Sequence, residues 1–393
     1  MKKAIIFGCG KIARGFVGQL LYLSDFAITF VDVYQPIIDK VNTDKKYHVH
    51  VLGDASLDSV ITGISALNFN ESQEVFDAFK EADIAFVSVG GKNLINVANC
   101  LSSIFELYGI PKIKKNIIVC ENWADAANTL KDPLYKNLSV ENKDLFNKYI
   151  GITEGVLMRT ATQPDEKLAQ KYPLDVWVQN YWYLPIDRSR LITDIPEIQS
   201  IEALDHFGNF LIQKMYTNNT SNAVIAYTGY LLGYEILAEA ANSPEISKIL
   251  DKTYKEINQT LVAELGVDPK DQEEFSKRAR KKYCDWTIVD KITRHAKDPL
   301  RKLGPKDRLI APSRMALKHG IYPETLITTI AEALFFDEPT DESAMELKKI
   351  RREKGIEYVL KNVCKLDADE VLYQEVLKAV ERISNEGLVK NHV

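Results

Sequence analysis

Gly8-Cys9-Gly10-Lys11-Ile12-Ala13 follows the apolar run Ala4-Ile5-Ile6-Phe7 and precedes Phe16, Leu20 and Leu21 at helical spacing. A strand that enters a G-x-G-x-x-A turn and leaves as a helix is suited to hold a pyrophosphate. The first glycine permits the tight turn, the second lets phosphate reach the backbone, and the small third residue allows close packing. The helix N-terminus adds free N–H groups and positive dipole. Phe7 to Ala13 are the candidate phosphate-side residues. The next apolar run, Ile28 to Val31, ends at Asp32, near the spacing of roughly 20 residues at which a carboxylate receives ribose hydroxyls. Its charge repels a 2′-phosphate and no arginine follows it directly, so NAD is expected rather than NADP. The competing reading is a glycine turn of a non-nucleotide domain, with Asp32 capping its strand. Val89 and Gly90, with Gly91, form a candidate second loop over the cofactor, although a plain turn explains these glycines nearly as well.

A second group is cationic: Arg294, Lys297, Arg301, Lys302, Lys306 and Arg308 crowd one stretch of a chain whose formal net charge is -5. Guanidinium and ammonium groups grip phosphate or carboxylate through charge-assisted hydrogen bonds. The stretch therefore suits an anionic substrate end, with Arg294, Lys302 and Arg301 as candidate contacts. The alternative is a solvated face paired with Asp290, Asp298 and Asp307. Lys214, Asn219 and Asn222, taken alone, read as a surface lysine and helix caps. On a continuous α-helix Lys214 and Asn219 point about 140° apart, so a shared target requires a break. Thr217-Asn218-Asn219-Thr220 offers one, with a cap, and Asn219 and Asn222 would then share a face.

His48-x-His50 has no nearby cysteine or carboxylate set, so it reads as a pair on the edge of a strand and no metal is expected. The five cysteines are far apart, odd in number and without a CxxC, which fits reduced thiols. An isoelectric point near 5.8 argues against nucleic acid as main partner. The first apolar run is too short for a signal peptide or a membrane span, so a cytoplasmic protein with no membrane partner is expected.

These groups need a frame. At 393 residues, 46% of them hydrophobic, the chain is long enough for two domains. Short apolar runs at Lys3–Phe7, Ala27–Asp32, Ile84–Val89, Asn116–Cys120 and Tyr149–Thr153 alternate with amphipathic stretches. That pattern predicts α/β architecture with a doubly wound parallel sheet of the Rossmann type. Asp175–Asp187 adds extra strands. Beyond about Asp194 helical patterns take over, as in Ala223–Ala241, Ser243–Leu265 and Asp341–Leu360, and no buried strand is expected there. Residues 1–196 are read as the dinucleotide domain and 197–393 as a mostly α-helical substrate domain, with disorder confined to Asn391–Val393.

Lys214-Met-Tyr-Thr-Asn-Asn219-Thr-Ser-Asn222 resembles the Lys-x4-Asn-x2-His signature of the polyol-specific long-chain dehydrogenases, the mannitol dehydrogenase family. The similarity extends over the whole chain. It includes FGCGKIARGFVG, Cys120-Glu121-Asn122, the run Lys297 to Leu309 and the segment Leu360–Ala379, and it is strongest to the hexitol-phosphate branch. The resemblance implies zinc-independent, reversible hydride transfer between NAD and an anionic sugar or polyol, mannitol 1-phosphate giving fructose 6-phosphate, in a cleft between the domains. It makes Lys214 the general base and gives Asn122 and Asn219 the role of stabilising the reacting oxygen. Two positions depart from the family. Asn222 stands where it has histidine, and Met158 precedes Arg159 where it has aspartate, with Glu154 nearby. A hexuronate reductase of the same family, and a non-catalytic NAD-binding relative acting as sensor or partner protein, remain alternatives. None of these motifs encodes an oligomeric state.

Overall fold

The computed structural model describes residues 2–162 and 166–389; the expectation for Asn391–Val393 lies outside them. The chain divides into two units, Met1–Phe207 and Gly208–Val393. In the first, uninterrupted Val, Ile and Phe runs become strands covered on both faces, as parallel sheets require. In chain order the strands of this unit are β1 Lys2–Phe7, β2 Phe26–Asp32, β3 Tyr47–Leu52, β4 Ser59–Ile61, β5 Ile64–Asn68 and β6 Ile84–Val87. β7 Lys115–Cys120, β8 Ile150–Gly155, β9 Ala161–Thr162, β10 Val176–Gln179, β11 Leu184–Asp187 and β12 Ile201–Leu204 follow.

The order β5-β2-β1-β6-β7-β8 is parallel throughout. It is the strand order of a dinucleotide-binding sheet, which reverses direction between β1 and β6. β11 joins antiparallel to β8, and β12 lies parallel to β11. No buried strand was expected beyond Asp194, and the one strand found there among the described residues, β12, is not a buried one. Its four residues are only partly buried or exposed, so no apolar run marks them.

A second sheet, β4-β3-β10-β9, covers the helix that follows the glycine turn. His48 and His50 lie on β3, which has neighbours on both sides and is not an edge. Their rings approach Asp175, and His50 also meets Asp58 and stacks on Trp177. The approach of this sheet to the helix is close. A Cβ on Gly15 would come within 2.7 Å of Val176 Cγ1 and 2.8 Å of Val178 Cγ1. The helix is π-helical over Ala13–Gly18 before continuing as α over Gln19–Tyr22. Arg159, 3% exposed, braces it from beneath. Its Nε donates to the Gln179 carbonyl at 2.8 Å and its Nη1 to Gln19 Oε1 at 2.7 Å, with the guanidinium 4.3 Å from the Trp182 ring.

The second unit is helical among its described residues. At its centre the helix Thr220–Leu231 is buried from Thr220 to Gly229 on every side. Two expected long helices are each interrupted where a glycine takes positive φ. Gly233 ends the first before Leu237–Asn242, and Gly355 divides Glu342–Lys354 from Ile356–Asn362. The helix Pro244–Leu265 begins where Ser243 caps it, accepting from the Ile246 N–H at 3.3 Å. No helix is long and apolar enough to cross a membrane among the described residues.

Gly15→Ala forces either the helix or the small sheet to move. It should cost about 1–3 kcal/mol, read as a lower midpoint in denaturant unfolding; an unchanged midpoint would show that the close approach is not needed.

Candidate active site

At the C-terminal ends of β1, β2, β6 and β7, where the strand order reverses, lies a cavity of about 570 Å³. Gly8, Gly10, Lys11, Ile12, Asp32, Val89 and Gly90 line it. Phe7, Cys9 and Ala13 are buried behind the wall, and burial pushes the Cys9 thiol up to about 11. Val33, Phe69, Ser88, Asn96, Cys100 and Leu157 also line the cavity and were not anticipated. Gly8 holds φ +108°, and a Cβ there would stand 2.0 Å from the Ser88 carbonyl oxygen, so only glycine makes this turn.

The residues fit a dinucleotide. A Cβ on Gly10 would meet no protein atom within 4 Å, so packing does not demand this glycine, whereas backbone approach by a phosphate would. Asp32 is fixed at the rim: its Oδ2 accepts the Cys9 N–H at 2.7 Å and its Oδ1 those of Val33 and Tyr34 at 2.8 and 3.0 Å. The second loop contributes differently from expectation. The N–H groups of Val89 and Gly90 both donate to Glu121 Oε1 at 2.6 Å, so the loop shapes the cavity while Glu121 takes its donors. Burial pushes the Glu121 carboxyl up, and these two N–H groups oppose the rise. Asn122, the neighbouring residue, is exposed after β7 and is not among the lining residues.

In the second unit the chain does not break between Lys214 and Asn219. It stays helical and widens into a π-helix over Lys214–Asn219, and Asn219 (φ -73°, ψ -28°) makes no capping bond. Bonds from i to i+5 return residues five apart to nearly the same face. The two residues therefore lie nearer to one face than they would on a continuous α-helix, and no break is present. The polar side chains expected as caps serve as cross-links: Thr220 Oγ1 donates to the Arg308 carbonyl at 2.6 Å, and Thr217 Oγ1 accepts from Gln272 Nε2 at 3.1 Å. Asn219 Nδ2 lies 3.1 Å from Met215 Sδ.

Lys214 is half-buried. Burial first, and the positive charge of Arg308 second, lower its ammonium from an ordinary 10.5 to about 8. Lys282, on the helix Pro269–Tyr283, is lowered to about 8 by burial and by Lys214. Sequence spacing gave no hint of Lys282. Asn222 Nδ2 lies 2.8 Å from Nδ1 of His295, a residue that no motif singled out.

Three members of the basic stretch, Arg294, Arg301 and Arg308, are ion-paired with the aspartates that the solvated-face reading named. Arg294 meets Asp290 at 2.6 Å, and Arg301 meets Asp298 at 2.6 Å and Asp307 at 3.0 Å. Lys302, expected to face an anion, is 5% exposed, and its ammonium donates to the His295 carbonyl. Burial, then Arg308 and Arg301, lower it to about 7, so it supports the His295 turn from within.

Two family models match the chain, the mannitol dehydrogenase Rossmann domain over residues 2–200 and the mannitol dehydrogenase C-terminal domain over residues 206–384. A mannitol-1-phosphate 5-dehydrogenase of Bacillus pumilus (strain SAFR-032) is 31% identical over 382 residues, covering 97% of this chain and 100% of the relative. Among solved structures, a substrate-free D-sorbitol dehydrogenase superposes with a TM-score of 0.80 at 14% identity, covering 99% of this chain and 94% of the other. The Pseudomonas fluorescens mannitol 2-dehydrogenase, in a ternary complex with NAD and D-mannitol, does so with a TM-score of 0.65 at 13% identity, covering 99% and 93%. At such identities these two likenesses show the fold. The two domain models and the full-length relative together establish that this chain belongs to the mannitol dehydrogenase family.

Proposed function

We propose that this chain is an NAD-dependent polyol-phosphate dehydrogenase, interconverting mannitol 1-phosphate and fructose 6-phosphate in the cytoplasm. Family membership supports the reaction class, and the relatives named mannitol-1-phosphate 5-dehydrogenase support the substrate. The observation that carries it is Lys214, whose amine reaches neutrality near pH 8 on the same turn as Asn219. NAD, when bound along the glycine turn and Asp32, supplies the hydride acceptor. In the oxidation Lys214 Nζ takes the hydroxyl proton while the C–H bond gives up its hydride and the carbonyl forms. The Asn219 amide donates to the reacting oxygen, the role that the resemblance also gives to Asn122. Arg294 and Arg301 are the proposed contacts of the anionic end, each exchanging part of an aspartate pairing for phosphate.

Proton acceptance requires the neutral amine. Oxidation should therefore rise with pH and level off above about 8, while fructose 6-phosphate reduction, which needs the ammonium, should fall through the same range. Lys214→Ala should lower kcat/KM by roughly 10²–10⁴ and leave NADH affinity, read by fluorescence, unchanged. Retained turnover would remove Lys214 from the mechanism. Turnover with tagaturonate in place of fructose 6-phosphate would indicate a hexuronate reductase, and NADH binding without turnover on either would indicate the sensor. Asp32→Asn keeps an acceptor for the loop N–H groups but loses the charge. It should narrow the preference for NAD over NADP by about tenfold, on the order of 1.4 kcal/mol; an unaltered ratio would show that Asp32 does not set the choice.

A further inference from the structure

Asn222 is 7% exposed on the helix Thr220–Leu231, and its amide is the first link of a hydrogen-bonded series. Its Nδ2 lies 2.8 Å from His295 Nδ1, and His295 Nε2 lies 2.9 Å from Asp290 Oδ2. A carboxylate only accepts, so Nε2 carries the ring proton and Nδ1 offers a lone pair, which is what an amide N–H needs. The series has one consistent direction: Asn222 donates to His295, and His295 donates to Asp290. Burial would raise the Asp290 carboxyl, but the hydrogen bonds from His295 and Arg294 and the charge of Arg294 prevail and hold it below its ordinary value.

The short helix that carries the imidazole, Ile292–Ala296, is tied down at its backbone. Tyr227 Oη donates to the Ala296 carbonyl at 2.9 Å, the Lys302 ammonium to the His295 carbonyl, and the Leu237 N–H to the Asp290 carbonyl at 2.9 Å. A lysine buried to hold one backbone oxygen is a costly arrangement. Here it fixes the turn that carries the ring.

We propose that His295, oriented by Asp290, is a positioning residue for the polyol reaction: by accepting the Asn222 Nδ2–H it commits this amide to one orientation and leaves its carbonyl oxygen to accept a substrate hydroxyl. The inference rests on the functional reading above. A carboxamide without such a partner exchanges donor for acceptor by a half-turn. Where the family signature has a histidine this chain has Asn222, and the imidazole arrives from another helix and acts through the amide.

The test compares wild type, His295→Leu, Asn222→Ala, the double variant and His295→Asn in NADH-dependent reduction of fructose 6-phosphate. His295→Asn can place an oxygen acceptor near the Nδ1 position. His295→Leu should lower kcat/KM by about tenfold or more, His295→Asn should recover most of it, and the double variant should be no worse than Asn222→Ala alone. Additive losses, or an asparagine no better than leucine, would overturn the proposal. If wild type shows no turnover, the functional reading fails separately, and nitrogen NMR of histidine-labelled protein still decides the hydrogen bond. His295 should show the Nε2–H tautomer, with an Nδ1 resonance that moves in Asn222→Ala; an Nδ1–H tautomer, or no response to the substitution, would overturn the proposal.

Discussion

An amine that is to take a proton from an alcohol has to be neutral close to working pH while staying within reach of solvent and substrate. At Lys214, the proposed general base, two physical effects act in that direction. Burial penalises the charged form, and the Arg308 guanidinium adds like-charge repulsion, so the ammonium titrates near 8. Burial first and Lys214 second likewise lower the Lys282 ammonium to about 8. Asp307 bonds Arg308 and Arg301, and Asp290 bonds His295 and Arg294.

Backbone geometry is the other half of the arrangement. Each candidate region stands on a helix that opens into a π-turn, Ala13–Gly18 behind the glycine turn and Lys214–Asn219 at the proposed base. A π-turn is a weaker helix than the α form and persists only where surrounding contacts hold it. In the first unit Val176, Val178, Tyr47 and Arg159 close around it. In the second, Gln272, the Arg308 carbonyl and the Tyr283 hydroxyl, which donates to Asn218 at 3.0 Å, tie down successive residues.

What could be read in the sequence follows the range of the interactions involved. The glycine turn, Asp32 and the parallel sheet are local patterns of residue type and period, and they appear in the structure close to where those patterns end. The strands β4, β9 and β12 are short and mixed in polarity, so they left no periodic trace, whereas β3 alternates strictly in burial and its Tyr-His-Val-His-Val pattern was legible. The π-turn has no residue signature, and a helix break was the natural inference from the α-helical angle between Lys214 and Asn219. Glu121, Lys282 and His295 acquire their roles through partners distant in sequence, beyond the reach of spacing. Lys302 shows the converse: its charge made it a candidate anion contact, whereas the fold uses it to hold a carbonyl.

The account stands or falls on the ionisation of one amine. Lysine-labelled protein, followed by NMR across the alkaline range with the Lys214 resonance assigned from Lys214→Ala, measures that directly. The account predicts a midpoint near 8. A midpoint at the ordinary value of about 10.5 would contradict it, since a fully charged ammonium could not take the hydroxyl proton.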